Sequence, residues 1–502
     1  MSSPGALELI DAVLDAGSWV CWDEPITGDE PADPAYAESL RAARQRTGLD
    51  EAVVTGEGRI RGRRVAVVAC EFAFLAGSIG VRAADRLVRA VERATDERLP
   101  LLASPTSGGT RMQEGTMAFL QMVKITAAIG RHKANGNPYL VYLRNPTTGG
   151  VLASWGSLGH VTVAEPGALI GFLGPRVYKA LYGGEFPAGV QTAENLRDHG
   201  IVDAVLPPEA IADLTDRALN VLAAPREGPA AVADPADRAD GDGNEVTDVP
   251  AWESITRSRR PDRPGVRQLL RQTARDVVPL HGTGAGESEP GLLLALARFG
   301  RAPCVVLGQD RARQGAGNPL GPAGLREARR GMKLADELKV PLLTVIDTSG
   351  AALSREAEEG GLAGEIARSL ADLVLLDAPT VCLLLGEGAG GGALALLPAD
   401  RVVCAQHAWL SPLPPEGASA IIHRTTDRAP EMAQAQGVRS LDLLRDGIVD
   451  RVVAEHPDAA DEPAAYLARV ARVLEYELSS LLRRDPRTRL AARLARYRHL
   501  GS

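Results

Sequence analysis

Leu99-Pro100-Leu101-Leu102 runs into Thr106-Ser107-Gly108-Gly109, and a second glycine loop, Thr147-Thr148-Gly149-Gly150, follows downstream. The pattern recurs. Pro341-Leu342-Leu343-Thr344-Val345-Ile346 leads to Thr348-Ser349-Gly350-Ala351, and Gly388-Ala389-Gly390-Gly391-Gly392 comes later. Gly108 to Gly149 is 41 residues, and so is Gly350 to Gly391. Gly200-Ile201-Val202-Asp203 is echoed by Gly447-Ile448-Val449-Asp450. Offsets of 242 and then 247 residues read as a duplicated domain with a short insertion. An apolar strand, a glycine turn and a helix repeated in this way predict an α/β fold. Each turn also leaves backbone N–H groups where they can hold a developing negative charge.

The 502 residues suffice for two domains of roughly 200–250 residues each. An apolar fraction of 45% with 24% charged residues is that of a globular protein. The net charge of −8 argues against broad nucleic-acid binding. Cys21, Cys70, Cys304, Cys382 and Cys404 are scattered without a C-x-x-C pair, so no zinc is expected. Four of them lie in apolar stretches and read as buried thiols of a cytoplasmic protein. No signal peptide and no run of 18 apolar residues is present, which predicts no membrane association.

Residues 6–16 have the apolar spacing of an amphipathic helix, and Asp33 opens a second one reaching about Arg46. Strands are expected at 52–55 and 64–69, and a helix from Val81 to about Glu97. Residues 223–250 thin out in apolar content and fill with Asp, Pro, Ala and Gly, the composition of a flexible linker. The predicted organisation is therefore a domain over 1–222, a linker over 223–250 and a domain over 251–502. The tail from about Ala464 carries Arg483, Arg484, Arg487, Arg489, Arg493, Arg496 and Arg498. Such a run reads as a solvated or subunit-contact helix face.

One glycine pair after a strand is a common tight turn, but two matched sets of two are not. If the two loops of each half converge, each half gains a pocket with inward N–H groups for a carbonyl oxygen that gains charge. Arg111 and Arg176 follow glycine loops and are candidates for anion binding or loop positioning. Glu114 and Glu387 flank the loops but fall one in each half, so they do not form a catalytic carboxylate pair. His160, His407 and His423 are isolated in apolar context and read as structural.

Residues 104–124, SPTSGGTRMQEGTMAFLQMVK, and 145–176, NPTTGGVLASWGSLGHVTVAEPGALIGFLGPR, resemble the β subunit of bacterial acetyl-CoA carboxylase carboxyltransferase. Residues 344–370, TVIDTSGAALSREAEEGGLAGEIARSL, and 384–396, LGEGAGGGALALL, resemble its α subunit. The chain thus resembles fused β and α subunits. The resemblance implies an α/β architecture of two tandem crotonase-like (ClpP-like) spiral domains. It implies transfer of CO2 from carboxybiotin to the α-carbon of an acyl-CoA, with acetyl-CoA or propionyl-CoA as substrate. The β-like half would take the acyl-CoA and the α-like half the carboxybiotin.

By the same resemblance, Gly108 and Gly109 would stabilise the thioester enolate, and Gly391 and Gly392 the ureido oxygen of biotin. Arg111, Gly149, Gly150, Arg176, Gly350, Ala351 and Ala393 would contact substrate. No biotin-acceptor Met-Lys-Met and no ATP-grasp region is found, so the biotin carboxyl carrier and biotin carboxylase subunit are expected as separate partners. An active site shared between protomers implies at least a homodimer. The chain departs from the family pattern at Thr110, Ser349 and Ala352-Leu353, and lacks the N-terminal four-cysteine zinc ribbon of many β subunits. A malonyl-thioester decarboxylase and a non-catalytic scaffold are the alternative readings.

Overall fold

The computed structural model describes residues 4–26, 31–225, 232–235, 245–315 and 317–498, apart from the side chains of Pro175 and Arg176. The chain divides into two compact units, Met1–Leu219 with Gly284–Gly286, and Asn220–Thr283 with Glu287–Ser502. The expected linker falls largely outside the described residues. Within it, Asp234 pairs with Arg451 at 2.8 Å, and Asp248 pairs with Arg439.

In the first unit one sheet runs, in hydrogen-bonded order, Val20–Cys21, Val53–Ile60, Arg63–Cys70, Leu101–Ser104, Tyr139–Leu143, Val161–Ala164 and Ala204–Val205. The first three strands are antiparallel and the rest parallel. The strands expected at 52–55 and 64–69 are longer than the apolar runs suggested. They form a hairpin whose turn, Arg61-Gly62, has positive φ at both positions, matching the twist of the strands it joins. Tyr139–Leu143 is buried along its whole length, so it shows no alternation, as a parallel strand covered on both faces requires. The helix Val81–Asp96 packs Ala83, Leu87, Val91 and Ala94 into the core beneath this sheet.

The second unit repeats the plan. Its sheet runs Ala274–Leu280, Leu292–Phe299, Ala302–Gln309, Leu342–Thr348, Thr380–Ala389, Arg401–Ala405 and Arg451–Val453, with Trp409–Ser411 beside Thr380–Ala389. The GIVD echo has a structural meaning. Asp203 accepts the Thr162 N–H at 2.8 Å, and Asp450 accepts the Val402 N–H at 2.7 Å. Each aspartate fixes the start of the strand after the glycine helix.

The arginine-rich tail exposes Arg483, Arg484, Arg487 and Arg498, as a solvated or subunit-contact face would, but departs from that reading at two positions. Pro486 breaks it into Pro463–Leu482 and Pro486–Arg498. Arg489 and Arg493 are buried. Arg493 donates to Asp400 at 2.9 and 2.7 Å and to the carbonyls of Leu373, Leu376 and Ala378. It holds unit two together from inside.

Candidate active site

Each unit places its two glycine loops side by side at the ends of adjacent parallel strands. In the first, Ser107 bridges Thr147, and the Thr148 N–H donates to Ser107 C=O at 2.9 Å. A Cβ added at Gly109 would lie 3.4 Å from both Gly149 Cα and Gly150 N. In the second, a Cβ at Gly392 would lie 3.2 Å from Ala351 N and 3.4 Å from Gly350 C. Gly108 with Gly109 therefore meets Gly149 with Gly150, and Gly350 with Ala351 meets Gly392.

The two sites match in φ and hydrogen bonding in a register one residue away from the spacing read in the sequence. Gly109 has φ +107° and donates to Ser107 Oγ at 3.0 Å; Gly350 has φ +136° and donates to Thr348 Oγ1 at 3.2 Å. Arg111 N–H donates to Ile79 C=O at 3.0 Å, and Ala352 N–H to Leu320 C=O at 2.8 Å. Gly149 and Gly390 begin the helices Gly149–Leu152 and Gly390–Leu394 with φ +64° and +63°. Gly109 thus matches Gly350, Gly149 matches Gly390, and Gly150 matches Gly391.

In the first pocket the amides expected as donors have acceptors within the fold. The Gly108 N–H is taken by Ala76 C=O at 2.9 Å, and the Gly109 N–H by Ser107 Oγ. The Gly149 N–H is bound to Phe172 C=O at 3.0 Å. Gly150 is the second residue of its helix, and Gly391 is the second of the matching one. First-turn amides have no intrahelical acceptor, so these two half-buried N–H groups, with Gly392 next in line, are the donors the geometry offers. Ala393 is buried at the fourth position, where intrahelical bonding begins.

Of the two roles considered for Arg111, anion binding and loop positioning, its contacts are those of loop positioning. Its guanidinium is fully buried and clamps Glu51, with Nη2 to Oε2 at 2.7 Å, while also donating to Ser78 C=O at 2.7 Å. Burial lowers its pKa, but the Glu51 carboxylate outweighs this and raises it. Arg111 therefore ties the Gly77-Ser78 turn to the glycine loop from behind. Its neighbour Glu114 binds the Val81 N–H and the Tyr36 hydroxyl, and burial with that contact pushes the Tyr36 pKa up to about 12. Arg176 opens the helix Pro175–Tyr182, and its side chain lies outside the described residues.

Behind the second pocket the charges are arranged differently. Asp347 is buried, with Oδ1 accepting the Glu387 N–H at 3.2 Å and Oδ2 3.6 Å from Arg311 Nε. Burial raises its pKa to about 6 against the pull of Arg311. Glu387 pairs with Arg259 at 3.0 Å. Neither Glu114 nor Glu387 is free as a base. The departure at Ala352-Leu353 has a clear outcome: Ala352 is buried, and Leu353 is 97% exposed beside the loop. Sequence reasoning missed Gln309, Asp347 and Ser154, because each acts through a hydrogen bond to the backbone of a glycine loop or its supporting strand, and no residue pattern records such a bond.

Residues 6–490 match the carboxyl transferase domain family. The chain is 62% identical over 495 residues to a probable biotin-dependent acyl-coenzyme A carboxylase beta3 subunit of Mycobacterium tuberculosis, covering 98% of each. It is 38% identical to the acetyl-coenzyme A carboxylase carboxyl transferase subunits beta/alpha of Parafrankia sp., covering 99% of this chain and 86% of that one. Its structure resembles the transcarboxylase 12S core at a TM-score of 0.70 and 20% identity, over 94% of this chain and 89% of that one. The chain belongs to the carboxyl transferase domain family, and its α/β fold is two crotonase-like domains in tandem. Within that family it groups with the beta-type subunits of biotin-dependent acyl-CoA carboxylases.

Proposed function

We propose that this chain is the carboxyltransferase subunit of a biotin-dependent acyl-CoA carboxylase, acting on acetyl-CoA or a similarly short acyl-CoA such as propionyl-CoA. The observation that carries this reading is the matched pair of glycine-helix N-termini, Gly150 in one unit and Gly391 in the other. Two donors at two pockets suit a reaction in which two carbonyl oxygens gain charge. The Gly150 amide receives the thioester oxygen as it becomes an enolate. The Gly391 and Gly392 amides receive the ureido oxygen of biotin as CO2 leaves the adjacent nitrogen. That nitrogen accepts the α-proton, and the enolate carbon bonds to CO2. No protein carboxylate is needed as base, in keeping with the engaged Glu114 and Glu387. One well-placed donor is worth about 3–4 kcal/mol in such a transition state.

In this reading Gly109, Gly149, Gly350 and Ala351 shape the pockets by letting backbone approach backbone. The partners are a biotin carboxyl carrier with its biotin carboxylase and at least one further copy of this chain, in the cytoplasm. The test is carboxyl transfer from malonyl-CoA to a free biotin derivative by the purified chain, with methylmalonyl-CoA in parallel and a biotin-free control. Biotin-dependent release of acetyl-CoA or propionyl-CoA is expected, and the ratio of the two ranks the substrates. Release without biotin would instead make the chain a decarboxylase. Silence from a folded oligomer supplied with its carrier would make it a scaffold.

A further inference from the structure

The helix Gly390–Leu394 has five residues and begins Gly390-Gly391-Gly392. So short a helix makes few bonds of its own, and three glycines give it the greatest backbone freedom available. An amide on it keeps a direction only if something outside the helix holds it. Gln309 does so. It ends the strand Ala302–Gln309, two strands away from the one that leads into the helix, and it is fully buried. Its Nε2 donates to Gly392 C=O at 2.7 Å, and its Oε1 accepts the Asp347 N–H at 3.2 Å. Asp347 in turn receives the Glu387 N–H on the strand that carries the helix.

The result is a closed ring. It runs from Gln309 to Asp347 at the base of the 348–351 loop, across to Glu387, along the chain to Gly392, and back to Gln309. The first unit has a local device instead. There Ser154 Oγ donates to Gly150 C=O at 2.6 Å, four residues away on the same segment.

We propose that Gln309 is the positioning residue of the second pocket: its carboxamide couples the 348–351 loop to the Gly390–Leu394 helix and so sets the direction of the Gly391 amide. A packing role alone would need neither the donor nor the acceptor, and methionine would fill the space. The kinetic part of this inference rests on the carboxyltransferase reading; the geometric part does not.

The test uses two variants of the full chain, Gln309→Met and Gln309→Glu, with backbone amide exchange and transfer kinetics measured on each. Gln309→Glu, measured at a pH high enough to ionise a buried carboxyl, keeps an acceptor for the Asp347 N–H and removes the donor to Gly392. Exchange in the peptide covering 384–396 should quicken roughly tenfold or more in both, with the peptide covering 145–155 unchanged. In malonyl-CoA-to-biotin transfer, kcat should fall at least about tenfold while KM for malonyl-CoA stays within about twofold. Unchanged exchange at 384–396 in folded variants overturns the inference. So does an equal rise in both glycine helices, which marks general loosening. Local quickening in a chain whose wild type transfers no carboxyl group upholds the clamp and overturns the carboxyltransferase reading.

Discussion

In the first unit the glycine loop is backed by a fully buried ion pair, Arg111 with Glu51, reinforced by Tyr36 and Glu114. In the second unit the position equivalent to Arg111 is Ala352, and the backing is a ring of amides closed by Gln309 and Asp347. The backbones of the two pockets agree down to the φ of their first helical glycine. Backbone geometry around a charge-accepting oxygen is thus the part held in common. The side chains beneath it are interchangeable solutions to the same need, which is to stop a glycine-rich segment from wandering.

The largest expected effect lies on the ion-pair side. Arg111→Met leaves Glu51 buried without its partner and should cost about 3–5 kcal/mol of stability, read by urea unfolding. The double variant with Glu51→Gln should recover part of that loss. If Arg111→Met unfolds no more easily than wild type, the two backings are not different in kind.

Next come the glycines themselves. Gly109→Val would press on Gly149 and Gly150 at a φ of +107°, and Gly391→Val would meet Ile366. Each should lower carboxyl transfer by roughly 10²–10³-fold while circular dichroism stays native. A loss confined to one of them would break the equivalence of the pockets.

Acid should move the contributions of two buried groups, one in each unit, in opposite directions. Burial lowers the pKa of His132 to about 4, below the ordinary value of 6.5, so its unit folds with a neutral ring. Below pH 6.5 the unfolded chain takes up a proton that the folded one refuses, and His132 should contribute a loss of about 2 kcal/mol between pH 7 and 5. Asp347 is raised to about 6, so below that pH the folded chain binds a proton the unfolded one does not. Asp347 should thus contribute a gain of about 1 kcal/mol over the same interval, opposed by His407, whose pKa burial lowers, and isolated by comparison with Asp347→Asn. Amide exchange corrected for its intrinsic pH dependence, compared between wild type and His132→Phe in the first unit and Asp347→Asn in the second, gives both signs.

The smallest effect is expected at the tail. Arg487 is exposed, and Arg487→Ala should change thermal stability by less than about 0.5 kcal/mol, in contrast to its buried neighbour Arg493.

The duplicated plan was legible because it is written in local pattern. Apolar runs, glycine turns and amphipathic helices each depend on residues within a few positions of one another, and so do the stretches that resemble the carboxyltransferase family. From these came the tandem α/β domains, the glycine loops and the pairing of those loops. Three things depended on the assembled fold. One was which amides are open, since Gly108 N–H is claimed by Ala76, far back in the chain, while Gly150 and Gly391 stand second in their helices. Another was the fate of Arg489 and Arg493, which read as part of a solvated or subunit-contact face and are buried, and the choice of the buried Glu51 as the partner of Arg111. The last was Gln309, which belongs to no motif and acquires its role only because three strands end side by side. Hydrogen-bond partnership and burial are settled between residues distant along the chain, and no local pattern carries them.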